Sequence, residues 1–184
     1  MSCGKTYLTD EIKALIGATG ERVQLSPWGI EKEDLRRFCQ ALMDPDPRYW
    51  DEEFVKSTKF GEIITPAIYC TYINHKLAPG SEDPVTRAFR ENPESDGIGG
   101  VRDEGGALPR VPTELKRILN AGNEIETLKY PSIGDLIFSQ SRYSDIAERE
   151  GRDGSHMIII TTETEFTNQR GETLCINRRS SIRR

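Results

Sequence analysis

Residues 63–77 constrain the fold more than any other stretch of the chain. Ile63, Ile64, Ala67, Ile68, Tyr69, Cys70, Tyr72, Ile73 and Leu77 leave the segment almost no polar side. A helix that is apolar all round has to be buried. Pro66 fits within a first turn, where its missing donor costs nothing, and Thr65 in front of it reads as an N-cap. The pattern therefore predicts a helix from Thr65 to His75 or Leu77, buried along its length. On that expectation Ile68→Asp prevents folding, because it buries an unpaired carboxylate.

The covering for such a helix comes from the C-terminal part of the chain. From residue 121 onward the signal is β. Leu136, Ile137 and Phe138 open a strand that runs on through Tyr143. Residues 157–168 are rich in Ile, Thr and Phe, with Thr162, Thr164 and Phe166 on one face and Glu163, Glu165 and Thr167 on the other. Asn168-Gln169-Arg170-Gly171 reads as a hairpin turn, and residues 173–182 return. No helical run separates these strands, so they form an antiparallel meander. Helices first and consecutive strands after indicate an α+β domain whose sheet wraps the apolar helix.

Shorter helices precede that core. One is capped at Thr9 or Asp10 and stops at Gly17 and Gly20. A second, over residues 31–43, aligns Leu35, Phe38, Cys39 and Leu42 at i, i+3, i+4 and i+7. A brief strand at residues 22–25 lies between them, and residues 52–57 make one or two further helical turns. The whole chain, residues 1–184, reads as one domain with a Gly- and Pro-rich insertion at about 79–112. Within the insertion only residues 85–90 suit a helical turn, and Phe89, Ile98, Val101 and Leu108 are its few apolar contacts. A lid, a partner-binding excursion and a loop with no task are all consistent with that composition.

A net charge of −5 argues against a nucleic-acid surface. No apolar run approaches the roughly 18 residues that span a bilayer, and no signal-peptide core is present, so a cytoplasmic protein is expected. Cys3, Cys39, Cys70 and Cys175 form no CxxC pair, and His75 and His156 are the only histidines. A metal site is therefore not expected, and the cysteines read as reduced thiols, three of them small core residues.

The second constrained stretch is Asp44-Pro45-Asp46-Pro47, followed by Tyr49-Trp50-Asp51. Two prolines one residue apart cannot sit inside a helix, so Asp44 and Asp46 lie on a rigid loop between helices. Such carboxylates suit a site, and equally an ordinary capped turn.

Residues 43–53 together with Lys59-Phe60-Gly61-Glu62-Ile63-Ile64 resemble the hydratase motif of MaoC-like (R)-specific enoyl-CoA hydratases. That motif reads approximately G-D-x-N-P-h-H-x-D, with h apolar, followed by F-G-x-x-I-A-H-G. Residues 120–124, Gly134-Asp135, Asn168-Gln169-Arg170-Gly171-Glu172 and the final arginines are similar to the same superfamily, in its N-terminal, fatty-acid-synthase-like dehydratase branch. The resemblance implies a hot-dog fold, a curved antiparallel sheet around a long buried central helix. It implies a coenzyme A thioester as substrate, with no cofactor, and a homo- or hetero-oligomer with another hot-dog subunit. It places Asp44 on the family's catalytic aspartate and Tyr49 on its catalytic histidine. It assigns substrate binding to Gly61, Ile64 and Thr65, through backbone amides at the start of the central helix. For Gly61 a helix-stop role, and for Thr65 a plain cap, are equally open.

The departures are Asp46 for the motif asparagine, Arg48 for an apolar residue, Tyr49 for the histidine and Thr65-Pro66 for His-Gly. A phenol with a reference pKa of about 10 replaces poorly an imidazole near about 6.5. The expected function is thus an acyl-CoA-binding subunit of an enoyl-CoA hydratase or 3-hydroxyacyl dehydratase, working with a motif-complete partner. The alternatives are a non-catalytic structural or acyl-CoA-binding subunit, a hydratase acting alone through Asp44 and Tyr49, and a hot-dog thioesterase. On this reading residues 79–112 become a lid ordered by acyl-CoA or partner. Arg178, Arg179, Arg183 and Arg184 form a solvated strand end or meet coenzyme A phosphates.

Overall fold

A computed structural model describes residues 6–73, 78–94, 108–151 and 154–184. Five strands make one antiparallel sheet: β1 (Val23–Gln24), β2 (Ile118–Thr127), β3 (Phe138–Glu150), β4 (His156–Thr167) and β5 (Thr173–Arg183), in the order β1-β3-β4-β5-β2. The meander read from the sequence is β3-β4-β5. Its alternation holds, since Ile158, Ile160 and Phe166 of β4 are buried on one face. Register shifts at residues 120–122, 143–145 and 166–167 interrupt three ladders. Bulges of this kind bend a strand and increase its twist, which gives the sheet its curvature. Strand β2 was not separable in the sequence because it is an edge, mostly exposed, with little apolar alternation to mark it.

The helices are α1 (Asp10–Lys13), α2 (Lys32–Leu42), α3 (Glu52–Lys56), α4 (Tyr69–Tyr72) and α5 (Pro84–Glu91). Thr9, Asp51 and Asp83 cap α1, α3 and α5 through their side chains, each taking up an orphan amide. Helix α2 ends on Met43 in the left-handed region, φ 55°, and Asp44 N–H then bonds Cys39 O at 2.9 Å. That turn throws the chain off the helix and into the two-proline loop.

Two buried clusters lie against the sheet. The larger joins Leu35, Cys39, Tyr49, Val55, Ile63, Ile64, Tyr69 and Ile73 to Ile137, Phe166, Leu174 and Cys175 of the sheet half. Cys39, Cys70 and Cys175 are free and buried, as expected of small core residues; Cys3 lies outside the described residues. The smaller cluster packs Ile12 on Tyr143, Ile146, Ile158 and Ile160, with Leu108, Val111 and Leu115 against it.

The central segment differs from the sequence expectation. Helix α4 proper is four residues long, and residues 74–77, including His75, lie outside the described residues. The turn before it is tight: the N–H groups of Tyr69, Cys70 and Thr71 bond the carbonyls three residues back. Burial is one-sided, because Tyr69, Cys70 and Ile73 are at 0% exposure while Ile68 and Tyr72 stand at 47% and 45%. Ile68→Asp is therefore expected to fold, with a loss of about 1 kcal/mol in a urea titration, since it gives up about half of an isoleucine's burial while its charge stays in reach of water. Thr65 is also not the cap, as its hydroxyl bonds nothing among the described residues.

Within the stretch read as an insertion, α5 forms and its Phe89 is 44% exposed. The returning limb is not loose: Leu108, Val111 and Leu115 pack on the second core, and Tyr143 donates its hydroxyl hydrogen to Pro109 O at 2.9 Å. The Gly-rich middle, residues 95–107 with Ile98 and Val101, lies outside the described residues.

Candidate active site

The two-proline loop forms one rigid turn held by its own carboxylates. Asp44 accepts a hydrogen bond from Asp46 N–H at 3.2 Å, and Asp46 accepts from Arg48 N–H at 3.0 Å, capping a 3-10 turn, Pro47–Tyr49. The Arg48 guanidinium also grips the Asp46 carboxylate, with Nε at 2.9 and 3.0 Å from its two oxygens. Hydrogen bonds from Arg48 hold the Asp46 carboxyl below the usual range, and the same pair pushes the guanidinium up. The departures Asp46 and Arg48 thus satisfy one another.

Tyr49 closes this turn and is 8% exposed, within the main core. Burial pushes its phenol above the ordinary value. Arg48 opposes that shift, while Asp46 and Asp44 add to it. At neutral pH this side chain is a hydrogen-bond donor and not a base.

The turn is fastened to the segment leading into α4. Ile64 N–H bonds Arg48 O at 3.2 Å, which brings Ile64 beside the Asp44–Tyr49 turn. Thr65 N–H bonds Pro131 O at 2.8 Å. Two of the three amides expected to serve a substrate carbonyl, those of Ile64 and Thr65, are therefore occupied by protein acceptors. Among the described residues, the next amides of the segment, Ala67 and Ile68, meet no protein acceptor. Gly61 has φ +71°, a backbone state favouring glycine, and lies on the surface. The side-chain oxygens of Thr65 and Tyr69, both residues at 0% exposure, have no partner among the described residues. Burial pushes the Tyr69 phenol up to about 12, so it too stays protonated.

Loop 130–135 supports the site from the sheet side. Ser132 bridges Ile64 in β fashion and donates its hydroxyl hydrogen to Glu62 at 2.8 Å. The loop docks on residues 29–30 so closely that a Cβ on Gly29 would lie 2.5 Å from Gly134 O. Its anchor is Asp135, 3% exposed. One oxygen of Asp135 accepts from Ser132 N–H at 3.0 Å, the other from Arg170 at 3.1 Å and Gln169 at 3.3 Å. The sequence contained both partners in the stretches Gly134-Asp135 and Asn168 to Glu172. Their pairing across the fold had no signal in spacing.

Two of the other singled-out residues have structural partners. His156 is half-buried and contacts Glu148 through Nδ1 at 2.9 Å. Arg178 bridges Glu124, Glu126 and Glu163 across three strands. Among the described residues no cluster of His, Cys, Asp and Glu could hold a metal ion, and no helix is long and apolar enough to cross a membrane.

A curved antiparallel sheet around this helical segment, with an Asp-Pro turn at its start, is the architecture of hot-dog dehydratases. Solved structures agree on the fold. A chain of the ChsH1-ChsH2 complex from Mycobacterium tuberculosis superposes with TM-score 0.66 at 12% identity, covering 94% of this chain and 86% of that one. A MaoC-like dehydratase from Rhodospirillum rubrum gives 0.55 at 19% identity, covering 92% and 93%. The HadBC 3R-hydroxyacyl-ACP dehydratase complex, also from M. tuberculosis, gives 0.55 at 16%, covering 91% and 96%. In sequence, a UPF0336 protein of Saccharopolyspora erythraea is 21% identical over 155 residues, 84% of this chain and 81% of that protein. The chain belongs to the FAS1-like, dehydratase domain region family, whose profile matches residues 17–177.

Proposed function

We propose that this chain is the acyl-thioester-binding subunit of an enoyl-CoA hydratase or 3-hydroxyacyl thioester dehydratase, and that a motif-complete hot-dog partner supplies the acid-base pair. The observation carrying this reading is Tyr49. It occupies the motif histidine's position, is buried, and keeps its proton.

Hydration of a trans-2-enoyl thioester adds a water oxygen to C3 while a base removes the water proton. The electron pair of the double bond moves onto the thioester oxygen, and an acid then delivers a proton to C2. A neutral phenol cannot begin that sequence as a base. Asp44 can orient a water, and Tyr49 can donate a hydrogen bond. The thioester oxygen needs donors aimed at it, and Ile64 and Thr65 already spend theirs within the protein. The donors this segment still has free beyond Thr65, among the described residues, are the amides of Ala67 and Ile68, so the second reading, a subunit that binds or shapes and takes no part in the chemistry, rests on Tyr49 alone. Gly61, at the surface end of the same segment, remains the substrate-contact candidate, and Asp44 and Tyr49 become positioning residues.

Calorimetric titration of the purified chain with a short trans-2-enoyl-CoA tests this. The expected result is saturable binding with the double-bond absorbance persisting. Hydration by the pure chain at about 1–10³ s⁻¹, the ordinary enzyme range, would overturn the proposal in favour of catalysis by Asp44 and Tyr49.

A further inference from the structure

The outer face of the sheet carries two ordered rows of side chains at the far end of β2–β5. Ile158 and Ile160 of β4 point into the core, so Met157 and Ile159 point out. In register with Ile159 lie Ala147 of β3 and Ile182 of β5, and Leu119 of β2 lies opposite Ile182. This makes one apolar row across four strands, and none of its members belongs to either buried cluster. The neighbouring row, at the end of the sheet, is cationic. Arg149 lies opposite Met157. Arg117 and Arg184 exchange both backbone hydrogen bonds, at 3.0 and 3.1 Å, one step beyond the Ile118–Arg183 pair.

Further along the same face the arginines are neutralised. Arg142 and Arg178 both hold Glu163, and Arg178 also reaches Glu124 and Glu126. Arg117, Arg149 and Arg184 are exposed and meet no acidic side chain among the described residues. Arg117 stands directly opposite Arg184, a like-charge pairing that costs a sheet stability. We infer that this end of the outer face docks an acidic amphipathic helix of a partner protein. Its apolar stripe covers Ala147, Ile159, Ile182 and Leu119, and its flanking carboxylates meet the three guanidiniums, whose planar forks suit them. Four strands about 4.8 Å apart make rows about 14 Å long, the length of roughly ten helical residues. The rows lie about 7 Å apart, within the width of one helix. A lipid surface fits less well. Three arginines fall short of the roughly 4–8 basic residues that hold a segment to anionic lipid, and neither row has an aromatic side chain to enter the headgroups. A second copy does not supply the helix either, because its longest helices, α2 and α5, each carry two arginines.

The probe is a fluorescein-labelled peptide of about 18 residues, long enough to be helical, built only of leucine, alanine and glutamate with the glutamates along one flank. Its twin has lysine in place of glutamate. Anisotropy titrations compare the full chain with the double variants Arg117→Glu/Arg149→Glu and Arg117→Lys/Arg149→Lys. Parent-like melting temperatures verify folding, and each glutamate substitution is also titrated singly in case the double variant does not fold. The expected result is binding of the glutamate peptide by the parent, weakening as salt rises, with no binding of the lysine twin. The double glutamate variant should bind about tenfold or more weakly, and the double lysine variant within about threefold of the parent. No binding of the glutamate peptide by the parent, or parent-like binding by the glutamate variants, would overturn the inference. So would capture of the parent, and not the variants, by phosphatidylserine vesicles without peptide binding, which would assign the rows to a lipid surface. A parent dimer that the glutamate variants dissociate would overturn it in favour of a second copy.

Discussion

Replacing Asp135 by alanine is expected to destabilise the protein by about 2–4 kcal/mol, a large effect for a single loop residue. Asp135 accepts with both oxygens, from Ser132 on one side and from Arg170 and Gln169 on the other. Alanine removes all three bonds and leaves the Ser132 amide without its acceptor. Arg170 is about half exposed and recovers water, so the cost falls on the loop and not on a stranded cation. Asparagine offers no rescue. Whichever way its amide turns, an NH₂ group faces a donor, and Asp135→Asn is expected to lose most of what alanine loses. The consequence reaches the site, because Pro131 and Ser132 hold Thr65, Ile64 and Glu62. Urea unfolding with an unchanged slope is the measurement. A loss below about 1 kcal/mol for Asp135→Ala would mean that the docking of Gly29 against Gly134 holds the loop by itself.

Mixing the chain with a motif-complete hot-dog partner is expected to raise enoyl-CoA hydration by about 10²–10⁴-fold over the chain alone, the range that general acid-base catalysis supplies. The argument is one of proton affinity. A group that removes a proton from water near neutral pH works best with a pKa near that pH. Tyr49 starts about three units above it and is pushed higher still by burial. Asp46 is held low by Arg48 and is occupied by it. Among the carboxylates of the turn only Asp44 is left to face a substrate, and one carboxylate lacks the second group that the motif provides. Equal turnover with and without the partner would place the chemistry elsewhere.

The sequence made the site's turn legible because its information is local. Two prolines, two aspartates and a tyrosine within six residues dictate a rigid loop wherever it sits. The inner strands were equally legible, since a half-buried strand alternates: Ile158, Ile160 and Phe166 point one way. What depended on a second surface was hidden. The segment at residues 63–73 is apolar on all sides, yet only one side meets the sheet, and Ile68 and Tyr72 stay half-exposed. Composition cannot tell a fully wrapped helix from one with an open face. The packing of Leu108, Val111 and Leu115 was obscured by the polar residues around them. The contact of Asp135 with Arg170, separated by 35 positions, and the cross-strand rows on the outer face arise only once the chain is folded.

The central claim is that proton transfer in the working assembly does not depend on this chain's motif. The most direct measurement is kcat of the reconstituted complex carrying Asp44→Ala and Tyr49→Phe together in this chain. Both sit on a turn held also by Asp46 and Arg48, and folding is verified by melting of the variant. The account predicts a kcat within about threefold of the parent complex, with any change confined to KM. A fall in kcat of about 10²-fold or more at unchanged KM would contradict it and put the reaction on Asp44 and Tyr49.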